Sequence, residues 1–130
     1  MNAASEDIKD ILEAESSLGL SYPSNLFIAK EPSLPNNCVT IYDTPSWPPE
    51  LTFTGEVYYR SGIQVRVRDQ DYDSGMGLAR NIMNCLHGRA QETWNGTLYS
   101  LISAVGEPAA MAWDDKSRII IIINFNCQRR

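Results

Sequence analysis

Apolar and polar positions alternate most clearly where Ile63, Val65 and Val67 are separated by Gln64, Arg66 and Arg68. A period of two puts successive side chains on opposite faces, so the residues from Gly62 onward read as a half-buried strand with one apolar and one polar face. The period then becomes helical. Leu78, Ala79, Ile82, Met83 and Leu86 form a stripe able to cover a sheet, with Asp71 or Asp73 placed to cap its start and Gly88 to stop it. A second helical stripe, Ile8, Ile11 and Leu12, lies near the beginning of the chain. Ser5 is a suitable N-cap there, Glu6 and Asp7 suit the positive end of the dipole, and the helix is expected to end near Gly19.

The remaining segments read mostly as strands and turns. Leu26–Ala29 and Cys38–Tyr42 are apolar and β-branched enough for short strands around a Pro-rich link from Pro32 to Asn37. The segment Thr44–Glu50 holds three prolines, Pro45, Pro48 and Pro49. Each removes a backbone donor and biases its predecessor toward extended geometry, so a stiff loop carrying Trp47 is expected. Arg89–Gly96 reads as a loop carrying Trp94, and Leu98–Val105 as a strand. Ala109–Trp113 and Arg118–Asn126 form a hairpin across the turn Asp114–Ser117. Ile119–Ile123 lacks polar alternation, so both of its faces should be covered, by a central place in the sheet or by another subunit. The expected architecture is α+β, with a mixed, mostly antiparallel sheet packed by two main helices in one domain over residues 1–130.

Composition narrows the function classes. Of the 130 residues, 43% are apolar and 21% charged, which suits a globular chain that buries its own core. The net charge is −5, and Lys and Arg are not clustered enough for sequence-independent phosphate binding. No sequence-specific nucleic acid and no membrane partner is expected: the longest apolar run, Ile119–Ile123, is too short to span a bilayer, and no signal-peptide layout precedes the first helix. Cys38, Cys85 and Cys127 are widely spaced and odd in number, so they read as buried thiols and not as a disulfide framework or zinc site.

Candidate chemistry is thin. Asp69, Asp71 and Asp73 copy the first ligands of a calcium loop, but Ser74 stands where the sharp turn needs glycine and Arg80 where a bidentate glutamate is needed. His87, the one histidine, falls at a helix end with no nucleophile beside it, and Gly75-Met76-Gly77 lacks the third glycine of a dinucleotide fingerprint. No catalytic residue, metal or cofactor is therefore assigned.

One set of residues carries a family likeness: Ile63-Gln64-Val65-Arg66-Val67-Arg68, Tyr72, Gly75, Leu78-Ala79, Ile82 and Leu86-His87-Gly88, with Pro108, Asp114, Arg118 and Asn124-Phe125. The chain resembles, over roughly Leu18 to Cys127, the bacteriophage minor capsid proteins that look like tail terminators, or tail completion proteins. It departs from that pattern in the acidic turn after Arg68, where a shorter Gly-containing turn is expected, and in the strongly apolar Ile119–Ile123. The resemblance implies a structural virion protein, assembled in the host cytoplasm. It would form a hexameric ring that caps the tail tube at the tail/neck end and joins it to the head connector. Its partners would be copies of itself, the tail tube protein and a connector or neck protein.

A ring needs two different patches that complement one another. The sequence offers Trp47, Pro48 and Pro49, Trp94 with its flanking loop, and an exposed sheet edge; Asp69, Asp71 and Asp73 are the candidate acidic lumen or loop. Two other readings compete: a head-completion or neck protein from the other side of the same joint, and a cytoplasmic, non-catalytic binding module, which a deep apolar pocket would single out.

Overall fold

The computed structural model describes residues 1–130. Helix α1 (Ala4–Ala14) is followed by a 3-10 turn (Ser16–Leu18), and then by strands β1 (Leu26–Ile28), β2 (Cys38–Thr44), β3 (Glu50–Leu51) and β4 (Val57–Asp69). Helix α2 (Tyr72–Leu86) precedes β5 (Glu92–Trp94), β6 (Thr97–Ala104), β7 (Ala109–Trp113) and β8 (Ile119–Arg129). The strands lie in the order β1-β2-β4-β8-β6-β5, with β3 attached to β4 and β7 to β8. Every pairing is antiparallel except β1 with β2. The architecture is α+β, as its periodicities require.

Both helices pack on one face of the sheet. Ile63, Val65 and Val67 of β4, with Ile119, Ile121, Ile123 and Phe125 of β8, bury against Ile8, Ile11 and Leu12 of α1 and Ala79, Ile82 and Leu86 of α2. Asp71 caps α2, its carboxylate accepting the Ser74 N–H at 3.0 Å. Gly75 allows the first turn of α2 to settle on β8, since a Cβ there would lie 3.1 Å from Ile121 Cδ1 and 3.0 Å from Asp69 Cβ.

Ser5 is not the N-cap of α1. Ala3 holds that position without a side-chain cap, and Ser5 sits buried inside the helix. Its N–H and hydroxyl both donate to Asp43 of β2, at 3.1 and 2.7 Å, so a partner distant in sequence captures the side chain that local capping would have used. The helix also stops at Ala14, and the 3-10 turn carries the chain to Gly19, whose φ of 67° reverses it. A buried polar network ties α1 to the sheet: Asp7 accepts from the Tyr99 hydroxyl and from Asn95 Nδ2 at 2.7 Å, with Arg129 Nη1 4.0 Å away. Burial, and then the bond to Asp7, push the Tyr99 phenol well above its ordinary range, so it stays protonated and donates.

The parallel pair β1–β2 is joined by residues 29–37 without a helix. The segment is held by arginine side chains: Arg68 donates to the carbonyls of Pro32 and Pro35 at 2.6 Å, to Asn36 O at 3.2 Å and to Glu31 at 3.1 Å, and Arg118 donates to Ser33 O at 2.6 Å. Cys38, Thr40, Arg68 and Ile120 are buried at this end of the sheet, while Asn124, Asn126 and Gln128 stay exposed farther along the same face of β8. The Ile119–Ile123 run thus lies in the central strand, with its odd residues in the core and Ile120 covered on the opposite face.

Cys38 and Cys127 are buried and Cys85 is half-buried. Burial pushes the Cys127 thiol up to about 12 and raises that of Cys38, so neither supplies thiolate at neutral pH. A thiol reagent should therefore modify at most one cysteine quickly in the native protein, Cys85, and all three after denaturation. Two or more fast thiols before denaturation would contradict this core.

Candidate subunit interface

Strand β4 extends beyond its pairing with β2, which ends at Gly62 opposite Thr44. Its first residues pair instead with β3, Glu50 opposite Tyr58 and Leu51 opposite Val57, and the Thr52–Glu56 turn is closed by bonds between Thr52 and Glu56. The result is a small arm over residues 45–56. Three prolines stiffen its approach, because a fixed φ leaves the chain few alternatives. Trp47 is 67% exposed, Leu51 80% and Phe53 fully exposed. The arm's two acids are neutralised from within the chain: Glu50 pairs with Arg60 at 3.3 Å, and Glu56 with Arg130 at 2.9 Å.

A second apolar surface lies at β7. This strand pairs along one side with the first half of β8 and has no strand on the other, and all five of its residues, Ala109-Ala110-Met111-Ala112-Trp113, are exposed. The register shifts between Ala110 and Ala112, which leaves Met111 out of the ladder. Acids at both ends are paired: Glu107 lies 3.8 Å from Arg80, and Asp114 lies 2.7 Å from Arg118. Slight burial would raise the Asp114 carboxyl, but hydrogen bonds from Arg118 and the Lys116 N–H outweigh it and hold the group below the ordinary carboxylate range. The turn therefore stays braced as pH falls until that lowered pKa is crossed.

The other sequence candidates are placed differently. Pro48 and Pro49 are exposed with Trp47 on the arm. Trp94 lies in strand β5, where a loop was expected. It is half-buried against the core and donates from Nε1 to Glu92 at 3.1 Å, so much of its surface is already used. Asp69, Asp71 and Asp73 gather at the β4–α2 junction. Asp69 is buried and accepts the Asp71 N–H at 2.8 Å, Asp71 is the helix cap, and Asp73 is exposed in the first turn. Leu51, Phe53, Met111 and Trp113 were not singled out from sequence. Thr52-Phe53-Thr54 and Ala112-Trp113 look like ordinary half-buried strand patterns, and only the missing neighbouring strand exposes them.

Chemistry inside the fold is sparse. A shallow groove of about 430 Å³ is lined by Glu15, Ser17, Leu18, Asn81, Asn84 and Cys85, mostly polar and without converging ionisable groups. A second cavity, about 90 Å³, is too small for a typical ligand. His87 caps the end of α2 and accepts the Ala104 N–H on Nδ1 at 2.9 Å, a bond that joins helix to sheet. No helix is long and apolar enough to cross a membrane.

The family model described as bacteriophage tail terminator protein matches residues 7–130. A solved chain from the virion of a native gene transfer agent (GTA) particle superposes with a TM-score of 0.66, covering 98% of this chain and 94% of its own. At 14% identity the two share a fold. No curated protein sequence matches the chain.

Proposed function

The chain belongs to the bacteriophage tail terminator proteins, a structural and non-catalytic component of the phage particle, and on that premise we propose that its copies close into a ring, six in number, that caps the tail tube. The opposite side of the ring meets the head connector. Trp47, Pro48 and Pro49 belong to the contact between subunits, and Trp94 contributes the exposed part of its ring at the margin. The observation that carries this reading is the pair of exposed, charge-neutral apolar surfaces, the arm and β7, on a chain with no converging reactive groups. Large uncovered apolar patches on a small protein mark places where another chain sits.

The passage of DNA fits the charge distribution. A net charge of −5 repels phosphate, and the exposed amides Asn124, Asn126 and Gln128, with Gln64 bonded to Asn124 at 3.2 Å, form an uncharged row on the helix-free face. The arginines that flank the row on the neighbouring strand, Arg60 opposite Gln128 and Arg66 opposite Ile122, are each paired with a glutamate, Glu50 and Glu31, which weakens their hold on a phosphate. Asp73, with Asp69 and Asp71 behind it, adds to an acidic rim at the β4–α2 junction.

The ring is tested by solution mass over a range of protein concentrations, combined with electron microscopy of purified tails. A ring mass and density at the head-proximal end are expected; a strict monomer absent from tails would overturn the reading. Trp47→Ala should leave the melting temperature almost unchanged, since the side chain touches solvent. It should weaken assembly by about 2 kcal/mol per contact, the scale of an aromatic hot spot. Unchanged assembly would remove Trp47 from the interface.

A further inference from the structure

The two uncovered apolar surfaces occupy opposite corners of one sheet. The arm continues from the β4 end beside the close of β8, where Tyr59 faces Arg129, whereas β7 pairs with the beginning of β8, where Trp113 faces Ile119. Ten residue steps along β8 separate the two, roughly 33 Å at strand spacing. They also lie on opposite sides of β8, since β4 pairs along one edge and β7 along the other. The arm of a chain therefore cannot cover that chain's own β7.

From this placement we propose that the arm over residues 45–56 of one copy docks on the free edge of β7 in the next copy, so that the sheets are joined head to tail around the ring. The inference rests on the ring reading above and assigns its two complementary patches. A head-to-tail contact needs two unlike surfaces on each subunit, placed so that they cannot satisfy each other within one chain. The surfaces also match in shape: Trp47, Leu51 and Phe53 are large knobs, and three of the five β7 residues are alanines, Ala109, Ala110 and Ala112, which leave shallow ground beside Met111 and Trp113.

Charge permits a second copy as the occupant, which the two unlike, mutually unreachable surfaces already call for. Copies that each carry −5 repel one another except where their surfaces are neutral. The arm and β7 are such places, because Glu50, Glu56, Glu107 and Asp114 are each paired with an arginine of the same chain. The backbone supplies a further attraction. Apart from the bulge at Met111, β7 presents an open edge without charged residues or proline inside it, and an incoming extended segment can pair with its regular residues.

The test is a pair of cysteines, Phe53→Cys and Met111→Cys, introduced together in a Cys85→Ser background and oxidised at concentrations where the ring forms or on purified tails. Both positions are exposed, so folding is retained. They are far too distant within one chain for a disulfide, which needs Cα atoms less than about 7 Å apart. A ladder of covalent oligomers ending at the ring number is expected, while either single variant should give no ladder. Independently, Met111→Arg should raise the protein concentration needed for half-assembly at least tenfold, with Phe53→Glu on the partner copy restoring much of the loss. A ring of full mass that gives no ladder and tolerates Met111→Arg overturns this contact and leaves the ring standing. Cross-links from Phe53→Cys only to another tail protein would make that protein the occupant and overturn the second-copy assignment. A chain that is monomeric at every concentration, absent from tails and without a ladder overturns both.

Discussion

Val65→Asp yields no folded protein. Val65 is fully buried in the middle of β4, between β2 and β8, with Ile41 and Ile123 as its direct cross-strand partners. A carboxylate there is flanked by Ile41 and Ile123, while the cation on that face, Arg129, lies six residues farther along β8 and is held by Ser61, Asn2 and Asp7; an unpaired buried charge costs several kcal/mol even after its pKa shifts to neutralise it. That cost is comparable to the whole stability of a domain of this size, about 5–15 kcal/mol. Ile82→Asp, on the face of α2 that covers the sheet, should behave in the same way. The expected measurement is loss of the cooperative thermal transition, or recovery of the protein only in the insoluble fraction. A soluble variant melting within a few degrees of the parent would mean that the core is not where it is placed here.

Arg68→Met should produce the second largest loss, without abolishing the fold. Arg68 is 4% exposed, and its guanidinium holds residues 31–36 by four hydrogen bonds, one of them to Glu31. Methionine keeps much of the packing volume but donates nothing, so three backbone carbonyls lose a partner and Glu31 retains only Arg66, at 3.4 Å. Breaking a buried charge pair of this kind costs about 3–5 kcal/mol. For a chain of this length the loss corresponds to a fall in melting temperature of roughly 10 °C or more. Limited proteolysis should cut within residues 30–37 in the variant and not in the parent, because the released segment is then free to enter a protease. An unchanged melt would show that the segment is held by its prolines alone.

Much of the fold was legible because the deciding forces are local. The alternation at Ile63, Val65 and Val67 and the stripe Leu78, Ala79, Ile82 and Leu86 appear in the structure as β4 and α2, with Asp71 as the cap. The turn Asp114–Ser117 joins β7 to β8 as its composition requires. Each of these depends on side-chain period or on a bond between residues a few positions apart. Ser5 shows where that logic stops: local chemistry favours it as the N-cap, but Asp43, 38 positions away, offers two bonds and burial together, and Ala3 takes the cap position.

The candidate interface was legible only in part, since exposure is not a property of a residue type. Trp47 stood out because prolines surround it, and it is exposed. Trp94 has the same chemistry, yet β6 and the core cover most of it.

The sequence by itself determined the α+β class, the helix that covers the sheet and the central apolar strand, because period and turn chemistry are written along the chain. Only the tertiary structure decided that β7 ends the sheet without a neighbour, that β4 runs on into an arm, and that these two neutral apolar surfaces stand at opposite corners. Those facts depend on which strands are adjacent, and adjacency is set by long-range packing that no local pattern contains.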